Sequence, residues 1–384
     1  MAIRQPTAPV AYIERPDLAA IAVPAERPGF EPGKVLRLLF APALPTVTPR
    51  PLLPGTEPFA ERWQVEWHVS PAKPPRDAAC YFATDAVISG LGQIWLDGEL
   101  VTTEELLPRY VYRLNLGLPE RAAEQLAAHS RPLRTIERPC VAMVGGMNVY
   151  GHVLIETMFH MLMAQRLLKD SGVDAAFLIP ETAGLWFRHM LEQDFGVPTA
   201  NVEFYRPAEE RIHLRQAILP AMLHLEDGFH PVANDLVADM LDRLDPLPPP
   251  PVPAPRLFLS RGDFNSQGRS LGRLCANEAE LIRIAETRFG FTAVRMEKLP
   301  WREQIALLRN ARIVAGQFGS AMHGTLFCDP GTRVVSLGIL NLTQSEIAAL
   351  RGQDMAYMTR DISLQGEFTI DEDAFSQFLE AVVG

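Results

Sequence analysis

The chain has little cysteine, no long apolar run and no surplus of positive charge. Its four cysteines, Cys80, Cys140, Cys275 and Cys328, are scattered through 384 residues with no C-x-x-C spacing. That excludes a C-x-x-C zinc or redox motif and predicts reduced, buried thiols in a cytosolic protein. No stretch of eighteen apolar residues occurs, which excludes a membrane-spanning helix. The opening MAIRQPTAPVAYIERPD lacks the apolar run of a signal peptide. The expected location is therefore cytoplasmic, with peripheral attachment at an inner membrane left open. Lys and Arg number 36 against 46 Asp and Glu, a net charge of −10. That argues against nucleic acid as a partner and leaves room for a local basic site.

Proline, by contrast, is abundant at 33 residues, and it clusters. Residues 1–78 read as a Pro-rich N-terminal extension, with Val35 to Ala41 as one strand and Glu61 to His68 as another. Residues 246–255 hold seven prolines and read as a stiff linker between two domains, 79–245 and 256–384. In the first domain, Ala79 to Thr103 reads as a β-meander turning at Asp97-Gly98. After it, short apolar runs (Cys140 to Val144, Ala176 to Pro180, Val202 to Tyr205, Gln216 to Pro220) alternate with helical stretches, the pattern of a doubly wound α/β domain.

The stretch Asn310 to Gly338 organises the second domain: strand, glycine turn, short helix, Asp-Pro-Gly turn, strand. Gly319, Ser320 and Ala321 are small enough for a ligand to approach the backbone at a helix start, where N–H groups favour an anion. Such turns also occur without any ligand. Upstream, Leu257 to Leu259 is a strand with Ser260-Arg261 at its carboxyl end. Arg256, Arg261, Arg269 and Arg273 lie around it as a local basic patch. Guanidinium groups there suit a diphosphate, and equally make an ordinary solvated surface. Asn277 with Glu280 reads as a capping box opening the helix to Phe289. The loops after Leu259, Arg295 and Ala315 are expected on one edge of a parallel sheet.

In the first domain, His152 and Glu156 follow a Gly-Gly turn and share one helix face. They read as an acid–base pair, as a structural hydrogen bond, or as two metal ligands lacking an evident third. His224, Asp227 and His230 are of metal-ligating type, but no cysteine joins them and their spacing is loose, so they read as a solvated loop.

The run RLFLSRGD, NEAELI and FGFTAVRMEKLPWREQIALLRNARIVAGQFGSAMHGTLFCDPGTRVVSL resembles the catalytic domain of glycosyltransferase family 61. NVYGHVLIETMFHML resembles that family's first-domain motif. The resemblance implies an α/β, GT-B-like fold: two Rossmann-like domains facing across a cleft. It implies inverting transfer of a sugar from a nucleotide sugar, often a UDP-sugar, to a glycan or glycolipid acceptor, with no cofactor required, as in bacterial surface polysaccharide synthesis. A homodimer is left open.

On this resemblance Arg261 and Arg269 neutralise the donor diphosphate, assisted by Ser260 and the Gly319 to Ala321 amides. Glu297, Lys298 and Leu299 flank the base and ribose, and Glu156 or His152 is the general base. One departure is Phe318, where the family often has His; a phenyl ring neither moves a proton nor donates to phosphate. His323 is then the histidine that faces the donor. Two other classes stay open: a sugar-nucleotide epimerase of the same architecture, which needs no acceptor, and a non-catalytic scaffold, indifferent to Glu156→Gln.

Overall fold

The computed structural model describes residues 35–60, 75–96, 99–101, 105–106, 130–143, 145, 147–225, 228–262, 273–338, 342–359 and 366–384. Arg269, Asp227, the Asp97-Gly98 turn and the expected 61–68 strand lie outside them. Two compact units divide the chain along Met1–Pro45 with Pro75–Val232, and Thr46–Pro74 with Ala233–Gly384.

The first unit is built on a nine-stranded mixed sheet. Its strands are β1 (Val35–Leu44), β2 (Arg76–Ser89), β3 (Gln93–Leu96), β4 (Glu99–Leu100), β5 (Leu133–Ile136), β6 (Cys140–Ala142), β7 (Ala176–Pro180), β8 (Val202–Tyr205) and β9 (Arg211–Pro220). The first four pair antiparallel: β2 to β3 and β3 to β4, as the meander predicts, and β1 to β2, a pairing the sequence does not announce. The strands β6, β7 and β8 pair in parallel, and β9 joins the halves, antiparallel to β2 and parallel to β5 and β6. The unit is thus an α/β layer with an antiparallel extension. Alternation in β2 puts Ala79, Tyr81 and Ala83 into one core with Ile212, Leu214 and Tyr205. Helix α1 follows β6 as three consecutive segments, Tyr150–His152, Val153–Thr157 and Met158–Ser171, the middle one a π-turn. Helix α2 (Leu185–Gln193) follows β7.

A short hairpin of β10 (His224–Leu225) and β11 (Gly228–Phe229) closes the unit and corrects the solvated-loop expectation. His224 stacks on Phe229, ring centroids 4.2 Å apart. His230 is fully buried; its Nε2 lies 3.1 Å from the Pro42 carbonyl oxygen and its Nδ1 accepts the Val232 amide. Packing and backbone bonds explain both histidines.

The second unit opens, after helix α3 (Val232–Leu244), on a sheet ordered β14-β12-β15-β16-β17 with every pair parallel. These strands are β12 (Arg256–Leu259), β14 (Thr292–Val294), β15 (Ile313–Gln317), β16 (Arg333–Gly338) and β17 (Asp354–Thr359); β13 (Arg273–Cys275) pairs separately with β18 (Gly366–Phe368). Strand β15 is buried along its whole length, as an inner parallel strand must be. Helices α4 (Glu278–Phe289), α5 (Trp301–Asn310), α6 (Leu342–Arg351) and α7 (Glu372–Val383) complete it. Leu281, Ile284 and Phe289 of α4 and Phe375, Phe378 and Val382 of α7 share one core with Phe258, Ala315 and Val335 of the sheet.

The capping-box expectation fails at α4. The Asn277 side chain makes no cap bond; it exchanges two hydrogen bonds with the Ile370 backbone, and Glu280 pairs with Arg283. All four cysteines are buried and free, and burial pushes the Cys80, Cys140 and Cys275 thiols up to about 12 and Cys328 higher still. Among the described residues no helix is long and apolar enough to cross a membrane.

Candidate active site

In the second unit, parallel pairing brings the carboxyl ends of β14, β12 and β15 to one edge, where open α/β sheets bind ligands. Ser260 and Arg261 leave β12; Phe318 and Gly319 leave β15. The half-buried Arg261 donates from its guanidinium to the Phe318 carbonyl oxygen at 2.7 Å. That guanidinium lies over Gly319: a Cβ there would stand 2.9 Å from Arg261 Nη1 and 3.2 Å from Cζ. Glycine is needed at 319 for this close approach.

A buried carboxylate underlies the arrangement. Oε1 of Glu278 accepts the Arg261 backbone N–H at 2.9 Å and the Gln317 side-chain amide at 2.7 Å. Ser260 Oγ lies 3.4 Å from Oε2 and accepts the Gly262 amide at 3.2 Å. Sequence reasoning missed Glu278, because its partners come from two other chain segments.

After Gly319 the chain enters a 3-10 helix, Met322–Phe327. Its ladder begins with the Met322, His323 and Gly324 amides, so those of Gly319, Ser320 and Ala321 precede it. His323 is buried, its ring 6.4 Å from that of Phe318. Glu297 and Lys298 are exposed on a 3-10 turn after β14, and Leu299 is half-buried beside them. Arg256 does not join the patch. It sits at the opposite end of β12, about 13 Å of strand away, and donates to the Phe289 carbonyl at the end of α4.

The first unit carries the second cluster. His152 Nδ1 and Glu156 Oε2 are 3.0 Å apart at the start of α1. The His152 side chain is 35% exposed and that of Glu156 only 3%. Glu156 lies within the π-turn, a feature frequent at functional sites. The Glu156 hydrogen bond raises the His152 pKa above its usual 6.5, against an opposing desolvation. One turn further in, His160 is buried, and among the described residues neither ring nitrogen has a hydrogen-bond partner; burial depresses its pKa to about 4. Among the described residues no three His, Cys, Asp or Glu side chains stand together so as to hold a metal ion.

Residues 150–335 match the family model of Glycosyltransferase 61. The match runs from Tyr150, just ahead of His152, to Val335 in β16, and so encloses both clusters. The chain is a glycosyltransferase. Over this segment, just under half of its length, it matches glycosyltransferase family 61. No curated protein matched the chain.

Proposed function

We propose that this glycosyltransferase is an inverting enzyme of GT-B architecture. It moves a sugar from a nucleotide sugar, a UDP-sugar in the first instance, to a glycan or glycolipid acceptor in bacterial surface polysaccharide synthesis. The second unit binds the donor and the first supplies the base. The observation that carries this reading is Arg261, held over Gly319 at the carboxyl edge of a parallel sheet. A guanidinium there can neutralise a leaving diphosphate.

In the reaction, the acceptor oxygen attacks the anomeric carbon as its proton passes to the base. The bond from that carbon to the diphosphate oxygen breaks, and its electron pair leaves with the diphosphate. We assign the base to His152. Glu156 is too buried to meet a large acceptor, and its bond to Nδ1 fixes the imidazole tautomer with the lone pair on Nε2. Ser260 and the Gly319 to Ala321 amides complete the diphosphate site. Glu297, Lys298 and Leu299, after β14, border the base and ribose, and Phe318, after β15, offers the donor an apolar ring.

Thermal unfolding against a panel of nucleotides and nucleotide sugars tests the reading. One nucleoside diphosphate family and its sugars should raise the midpoint of wild type by several degrees and leave Arg261→Ala unmoved. Equal shifts in both proteins, or none at millimolar ligand, would overturn it.

A further inference from the structure

Glu278 poses an electrostatic puzzle. It is 5% exposed and lies against the backbone of Arg261, the residue assigned to a diphosphate. A carboxylate beside an anion site opposes binding. Yet among the described residues every bond it makes is one it accepts: Arg261 N–H and the Gln317 amide on Oε1, and the Ser260 hydroxyl, at longer range, toward Oε2. Those bonds tie the ends of β12 and β15 together, the two segments that the Arg261 to Phe318 bond also spans.

We propose that Glu278 is a positioning residue with two opposed effects, its hydrogen bonds presenting Arg261 to the diphosphate and its charge weakening the hold on that diphosphate. The inference rests on the donor-site reading above. A transferase must release a nucleoside diphosphate more highly charged than the donor it bound. A fixed negative charge behind the arginine opposes the product more than the substrate, and so favours turnover over product retention.

The two effects separate by substitution. Glu278→Gln keeps an oxygen where Oε1 accepts both N–H groups and presents its amide to Ser260 Oγ, but carries no charge. Glu278→Ala removes charge and bonds together. Calorimetric titration of the full chain with UDP, GDP and inorganic pyrophosphate reads both. Glu278→Gln should bind whichever probe wild type binds at least threefold tighter, and Glu278→Ala at least threefold weaker. A purely structural carboxylate would give losses in both. Gln binding equal to or weaker than wild type, with wild-type binding still abolished by Arg261→Ala, overturns this proposal alone. Absence of wild-type binding overturns the donor-site reading and this proposal with it.

Discussion

His152 and Glu156 differ in one property that decides their chemistry: the carboxylate is buried and the imidazole reaches solvent. A buried carboxylate on Nδ1 orients the ring and favours its protonated form. The sign of the pH dependence follows. His152 has its pKa raised above 6.5, so the unprotonated base accumulates only as pH rises through that higher value. The acid limb of kcat/KM should lie above pH 6.5. Glu156→Gln removes the main cause of the shift, so the limb should move to lower pH while the rate falls by roughly two to four orders of magnitude. A pH–rate series on both proteins decides it. If Glu156 were itself the base, Glu156→Gln would leave no limb to move, and the His152 assignment would fall. The four-residue spacing of this pair is legible in sequence; which partner is buried is not, because burial depends on everything packed around the helix.

At the scale of elements, the sequence carries most strands and helices plainly. Apolar runs such as AFLIP and IVAGQ become buried parallel strands because both faces are covered. The exceptions share a cause, which is competition from distant partners. Asn277 would cap its own helix but is claimed by the Ile370 backbone, 93 residues away. The polar stretch around His224 and His230 reads as exposed, yet Phe229 and the Pro42 carbonyl draw both rings inside.

Helix α1 hides more. Its apolar periodicity announces a helix but not the π-turn at Val153–Thr157, nor that His160 points into the core. That histidine makes a stability prediction. Its folded pKa of about 4 lies below the ordinary 6.5, so the unfolded chain binds the proton more readily across that interval. Stability from this group is complete above pH 6.5 and is lost as pH falls toward 4, by about 3 kcal/mol in all. Denaturant titrations at pH 7 and pH 4.5 should show wild type losing more stability than His160→Leu between the two. Identical losses would mean that His160 is protonated in the fold or partnered there.

For the whole molecule, the telling feature is that the chain does not fold in sequence order. Strand β1 belongs to the first unit's sheet, and the next segment, from Thr46, belongs to the second. There the Leu53 amide bonds the Met355 carbonyl of β17 at 2.7 Å, and Phe59 meets Phe378 of α7 with ring centroids 5.2 Å apart. A proline-rich stretch gives no periodicity from which to read this, since its contacts lie some 300 residues downstream. The second unit therefore depends on a piece of chain remote from the rest of it. Phe59→Ala removes part of an aromatic contact on the α4–α7 core and should cost about 2 kcal/mol, less than a fully buried phenylalanine would. Hydrogen exchange shows where the loss falls. Amides of Phe375 to Leu379 and of β17 should exchange faster in the variant, while those of β6 and β7 keep the wild-type rate. Faster exchange in β6 and β7 to the same degree would mean that the two units unfold as one, and that the N-terminal segment does not serve the second unit alone.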